Sequence, residues 1–133
     1  TVETAALAAS HGDPIVFGAP NVVRGGSHTG CPSAAEMVAQ GLCTVLASDY
    51  FYPALPMAAF RLVRDGVLPL AKAWALVSDN PAQALGLKDR GRLEPGLRAD
   101  IVIARAFPDH LAIVATIVAG RIVYLDDAAV LAA

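Results

Sequence analysis

The sequence predicts an α/β fold over residues 1–87 that passes into a β segment over residues 88–133. Three observations carry this. Residues 15–17 and 43–48 are short runs that are apolar on both faces, the pattern of strands in a parallel sheet covered by helices. Helix-forming sequence flanks each run. Beyond Leu87 the helical periodicity stops, and β-branched runs separated by turn residues replace it.

Taken in order, residues 2–10 are Ala-rich and helix-prone, and Gly12-Asp13-Pro14 ends that helix. Residues 15–17 form the first strand. Residues 18–30, GAPNVVRGGSHTG, hold too much glycine for the interior of an element and are expected to form a long loop. Ser33 and Glu36 have the S-x-x-E spacing of a capping box, which starts a helix near Ala34, and Gly41 is placed to end it. Residues 43–48 form the second strand and stop at Asp49. A helix over residues 55–64 follows. Leu70, Ala73, Trp74 and Val77 then fall on one helical face, which puts Trp74 in the core. Asn80 and Pro81 suit the N-cap and first position of a further short helix, closed by Gly86. Pro95-Gly96 suits a type II turn, with Asp100 helping to fix a turn beside it. Residues 101–104 form a strand, and residues 111–118 and 121–125 flank Ala119-Gly120 as a hairpin. The tail, residues 126–133, carries little signal.

Composition narrows the function classes. The 133 residues are 56% hydrophobic and 17% charged, against about 45–50% and about 25% in average domains. A small domain needs more polar surface than a large one, so the excess apolar surface is expected to pack on the rest of a larger domain or on another subunit. No uncharged apolar run approaches the ~18 residues of a membrane span. The net charge of −2 provides no basic face for nucleic acid. Cys31 and Cys43, without a signal peptide or a C-x-x-C pair, fit free thiols of a cytoplasmic protein and not a disulfide framework or a zinc site. The opening TVETAALAASHG resembles the middle of a helix-and-turn unit, so a start inside a longer gene product is expected.

Polar residues cluster after both strand ends, where parallel α/β folds place their sites. Asp49 ends an apolar strand, where a carboxylate must be paired, hydrated or metal-bound. The residues alone leave open a catalytic role and a helix N-cap. In Arg24-Gly25-Gly26-Ser27-His28 the glycines allow close backbone approach to an anion, and Arg24 offers a fork for phosphate oxygens. The alternative is a plain surface turn. No G-K-[ST] follows, so this is not a Walker loop. Asn21 is placed to orient the segment. His28 suits substrate contact better than metal ligation. Tyr50, Phe51 and Tyr52 suit either packing or a sugar pocket, with Tyr50 the candidate for ligand contact. His11 and His110 fit surface or turn positions, and Cys43 fits a buried strand position.

GAPNVVRGGSHTG followed by LASDYFYPAL resembles the PhnM family, the phosphonate-metabolism diphosphatases of the amidohydrolase superfamily. NPAQALGLKDRGRLEPGLRADIVIA and IVAGRIVY resemble it too, the former in a pattern shared across the superfamily. The resemblance implies a (β/α)8 barrel with a small β-sandwich built from both chain ends. Residues 15–17 and 43–48 would be the seventh and eighth barrel strands, and the segment after residue 88 the C-terminal strands of the sandwich. It implies cleavage of a ribose 1-methylphosphonate 5-triphosphate with release of pyrophosphate, by a water activated by a divalent metal ion (zinc, manganese or iron). Asp49 would bind that metal and accept a proton from the water. Asn21, Arg24, Gly25, Gly26, Ser27, His28 and Tyr50 would contact the phosphorylated ribose phosphonate.

The departure from the family is large. The H-x-H after the first strand, the bridging Lys or Glu and the mid-barrel histidines are absent from this sequence. Two strands cannot close a barrel, and open edges invite pairing. The isolated chain is therefore expected to be inactive and to form a homo-oligomer, or to associate with the missing barrel portion. The alternatives are an amidohydrolase acting on a C–N bond of a cyclic amide and a non-catalytic assembly module.

Overall fold

A computed structural model describes residues 1–26 and 31–127. The order is α1 (Val2–Ser10), β1 (Val16–Gly18), α2 (Ala19–Arg24), α3 (Ala34–Ala39), β2 (Val45–Ala47), α4 (Ala54–Arg64), α5 (Leu70–Ala75), α6 (Asp79–Ala84), β3 (Ile101–Ala106), β4 (Leu111–Val118) and β5 (Arg121–Leu125). The chain is mixed α/β. Among the described residues no helix is long and apolar enough to cross a membrane.

The two expected strands form and pair in parallel, with Val16 opposite Val45, Phe17 opposite Leu46 and Gly18 opposite Ala47. Both begin later than the apolar runs because the Thr44 side chain interrupts the ladder. Its Oγ1 accepts the Ile15 N–H at 2.8 Å, and the Asn80 amide donates to the Thr44 carbonyl at 2.8 Å. On its far side β2 meets no strand among the described residues; Leu46 N–H donates instead to the Leu76 carbonyl.

The expected loop over residues 18–30 is corrected by α2. Its glycines sit at helix ends and not inside the helix: Gly18 is the N-cap, and Gly25, at φ 80°, is the left-handed C-cap. Pro20 in the first turn needs no helical donor. The capping box at Ser33 and Glu36 forms with both of its hydrogen bonds. α6 starts earlier than expected, with Ser78 as its N-cap. Pro81 still lies in the first turn, where its missing N–H is tolerated, and Asn80 uses its side chain on Thr44. Ala73 in α5 and its C-cap Leu76 are buried while Leu70 is 61% exposed, so the buried face is rotated from the expected one. Trp74 is only half-buried.

The core lies where α2, α3, α4 and β2 meet. Met37, Leu62 and Val22 are its largest fully buried side chains. Ala54, Ala58 and Leu62 recur at i, i+4 and i+8 along α4, and all three are buried. The small residues let α2 approach closely, and Leu62 fills the space beside them.

The second sheet is antiparallel, in the order β3-β4-β5. β5 is exposed along its whole length, including Ile122, Val123, Tyr124 and Leu125. The β4–β5 hairpin turns through Ala119 at φ 51° and Gly120 at φ 78°. Two positive φ values mark the turn that matches strand twist, and Ala119 pays a steric cost to adopt one. Asp100 holds it there: its Oδ1 accepts the Ala119 N–H at 2.8 Å, and the Gly120 N–H donates to the Ala99 carbonyl at 2.9 Å.

The Ala119 amide, then Arg98, holds the Asp100 carboxyl below the usual carboxylate range. A depressed folded pKa contributes stability above the unfolded value of ~3.9, and that contribution is lost as pH falls through the folded value. Asn at this position keeps an acceptor but does not titrate. The Asp100→Asn protein is therefore expected to lose less melting temperature than the parent between about pH 5 and 3. Parallel acid limbs in thermal melts would show that the turn does not depend on the charge.

Candidate functional site

Gly18 and Ala47 end the two parallel strands side by side. The segments leaving them therefore start from one end of the sheet, the end at which open parallel sheets bind ligands. One segment is α2 with Gly25 and Gly26; the other is Ser48-Asp49-Tyr50.

Asp49 is exposed and adopts φ 55°, a conformation that Asp tolerates better than most residues. It sits inside a turn closed by the Phe51 N–H on the Ser48 carbonyl at 3.1 Å. It does not cap the next helix, because Pro53 is the N-cap of α4 and no side chain bonds there. That removes the capping explanation for Asp49. Tyr50 and Tyr52 are 79% and 78% exposed, so neither is a packing residue within the described chain.

Arg24, the last residue of α2, is exposed and makes no ion pair with the described residues. Gly25 has a different task from the one its sequence suggests. Its N–H donates to the carbonyls of Asn21 and Val22, at 3.2 and 3.1 Å, closing the helix. Gly26 is exposed, and a Cβ built on it would meet nothing within 4 Å. Ser27 and His28 lie outside the described residues. Asn21 is half-buried, and its Oδ1 accepts the Ala34 N–H at 2.8 Å. It staples the start of α3 to α2.

Arg61 is the residue that sequence reasoning missed. Its Nη1 donates to the Val23 carbonyl at 2.8 Å and its Nε to Asp65 at 3.0 Å. Its Nη2 lies 2.8 Å from the place a Cβ on Gly25 would occupy. No motif marks it; the only local sign is the i, i+4 pairing with Asp65, whose carboxyl is lowered first by Arg61 and then by Arg64. Cys43 is buried as expected, and burial pushes its thiol up to about 11. It stays protonated at neutral pH and is no nucleophile.

Among the described residues no three His, Cys, Asp or Glu side chains are placed to share a metal ion. A closed zinc site takes four ligands, so Asp49 with its described neighbours does not fit a divalent ion. A cavity of about 900 Å³ lies elsewhere, between α4–α6 and the second sheet. Leu55, Trp74, Leu93 and Ile113 line it, and none of the described sequence-predicted site residues does.

Residues 9–124 match the model of the amidohydrolase family. The chain belongs to that family. Within it, the chain is 45% identical over 113 residues to the Escherichia coli (strain K12) alpha-D-ribose 1-methylphosphonate 5-triphosphate diphosphatase, covering 84% of this chain and 30% of that protein. It is 36% identical over 80 residues to an imidazolonepropionase of Ruegeria sp. (strain TM1040), covering 56% of this chain and 20% of the relative. It is 52% identical over 40 residues to a dihydroorotase of Lactobacillus acidophilus, covering 30% and 9%. The chain thus spans less than a third of the length of each of these relatives.

Proposed function

We propose that this chain is the C-terminal segment of a metal-dependent hydrolase that releases pyrophosphate from alpha-D-ribose 1-methylphosphonate 5-triphosphate. The observation that carries the proposal is the long match to the Escherichia coli diphosphatase. The common origin of the Arg24 and Asp49 segments at one end of the parallel strands supports it. In this reading β1 and β2 are the seventh and eighth strands of a (β/α)8 barrel. Residues 1–87 belong to that barrel and residues 88–133 to a β-sandwich.

Asp49 accepts the proton of the attacking water. A divalent ion, which the resemblance implies, would supply an activated water; Asp49 would be one of its ligands, and the others would have to come from beyond the described residues. Arg24 supplies a charge-assisted donor to the phosphate chain, and Gly26 leaves room for close approach. Gly25 and Asn21 shape the segment, Ser27 and His28 add donors, and Tyr50 lies against the ribose. The isolated chain is inactive and self-associates or binds the remaining barrel, and the whole protein works in the cytoplasm.

The test is pyrophosphate release by the full-length protein with and without Arg24→Ala. A hydrogen bond to a charged group contributes about 1.5–3 kcal/mol, so kcat/KM is expected to fall roughly 10- to 100-fold. An unchanged kcat/KM would rule out phosphate recognition by Arg24 and favour a neutral substrate, such as a cyclic amide, which needs no such cation.

A further inference from the structure

We infer that Arg61 is a positioning residue that fixes the end of α2, so that Arg24 meets substrate phosphate in a single geometry. The inference rests on the phosphate-binding reading of Arg24.

α2 has only six residues, and the carbonyls of its last turn have no helical donors of their own. Gly25 N–H serves Asn21 and Val22. The Val23 carbonyl, one residue before Arg24, is served by Arg61 across the helix interface. A cation at this end also suits the helix dipole. Arg61 is itself held. Asp65 takes its Nε, and the adjacent Leu62 is only 1% exposed in the core. The guanidinium therefore transmits the position of α4 to the last turn of α2.

Gly25 completes the fit. At φ 80° it turns the chain, and its missing Cβ leaves the space against which Arg61 Nη2 lies. A planar guanidinium can bond Val23 and Asp65 together, whereas the single ammonium of lysine cannot hold both in that geometry.

The experiment uses the full-length protein carrying Arg61→Met, which keeps the aliphatic stem, together with Arg61→Lys, Arg24→Ala and the double variant Arg24→Ala/Arg61→Met. Arg61→Met is expected to raise KM for the triphosphate substrate roughly 10-fold with kcat within about twofold. Arg61→Lys is expected to restore only part of the loss. If Arg61 acts through Arg24, the double variant is no worse than Arg24→Ala alone. Additive losses in the double variant would overturn the inference, because Arg61 would then act independently of Arg24. If Arg24→Ala has no effect, or no pyrophosphate is released at all, the phosphate reading fails separately.

The positioning role has its own readout. Trypsin cleaves after Arg24, and native-state cleavage follows local opening. Arg61→Met is expected to speed cleavage there about 10-fold, with the global melting temperature nearly unchanged. Cleavage at the parental rate in both Arg61 variants would overturn the inference, whatever the enzyme's substrate.

Discussion

Asp49→Asn in the full-length protein is expected to lower kcat for pyrophosphate release by about 10²- to 10⁴-fold, the usual contribution of a positioned general base. The structure allows that loss to be assigned to chemistry. Asp49 is exposed, caps no helix and sits at φ 55°. Asn has nearly the same shape and tolerates that backbone region equally well. Folding stability is therefore expected to change by no more than about 0.5 kcal/mol. Steady-state rates and a thermal melt of the same preparation check both halves. A loss below about 10-fold would remove Asp49 from the role of proton acceptor.

Leu62→Ala is expected to have the largest effect on stability. Leu62 is 1% exposed and packs in the cluster with Val22, Met37 and Leu46. Truncating a buried leucine costs about 2–5 kcal/mol, depending on how far the surroundings collapse, and a whole domain has only about 5–15 kcal/mol to lose. Denaturant titration should show a lower midpoint with an unchanged slope. A change below about 1 kcal/mol would mean that the α2–α4 junction repacks freely, which is incompatible with a firmly held Arg61.

The features legible in the sequence are those whose cause is local. The Ser33–Glu36 capping box spans one helical turn, and the Ala119-Gly120 hairpin spans two residues. Both form where the pattern places them. The parallel strands are also legible, because each is a continuous apolar run, although within the described residues β1 has no buried residue and Val16 is 55% exposed. The failures share a different cause. α2 is hidden because the glycines of residues 18–26 make the stretch look like a loop, whereas Gly18 and Gly25 stand at the two ends of a six-residue helix. The orienting role expected of Asn21 has its partner, the Ala34 amide, thirteen positions away, where no local pattern points. Arg61 reaches Val23 across 38 positions of sequence, a contact that no window along the chain can reveal. The segment after Arg24 was recognisable from resemblance, whereas the support beneath it comes from helix packing.

The fit between Gly25 and Arg61 also bears on how such a chain can diverge. With Arg61 in place, any side chain at position 25 meets a guanidinium nitrogen at 2.8 Å, as well as an unfavourable φ of 80°. With glycine in place, position 61 is free to lose its guanidinium, at the cost of the hold on Val23. The coupling runs one way: Arg61 can be replaced while Gly25 stays, but losing Arg61 clears only the contact at position 25, because the φ of 80° strains any side chain there whatever the space. Swapping either residue alone between distant relatives is a different experiment from swapping both.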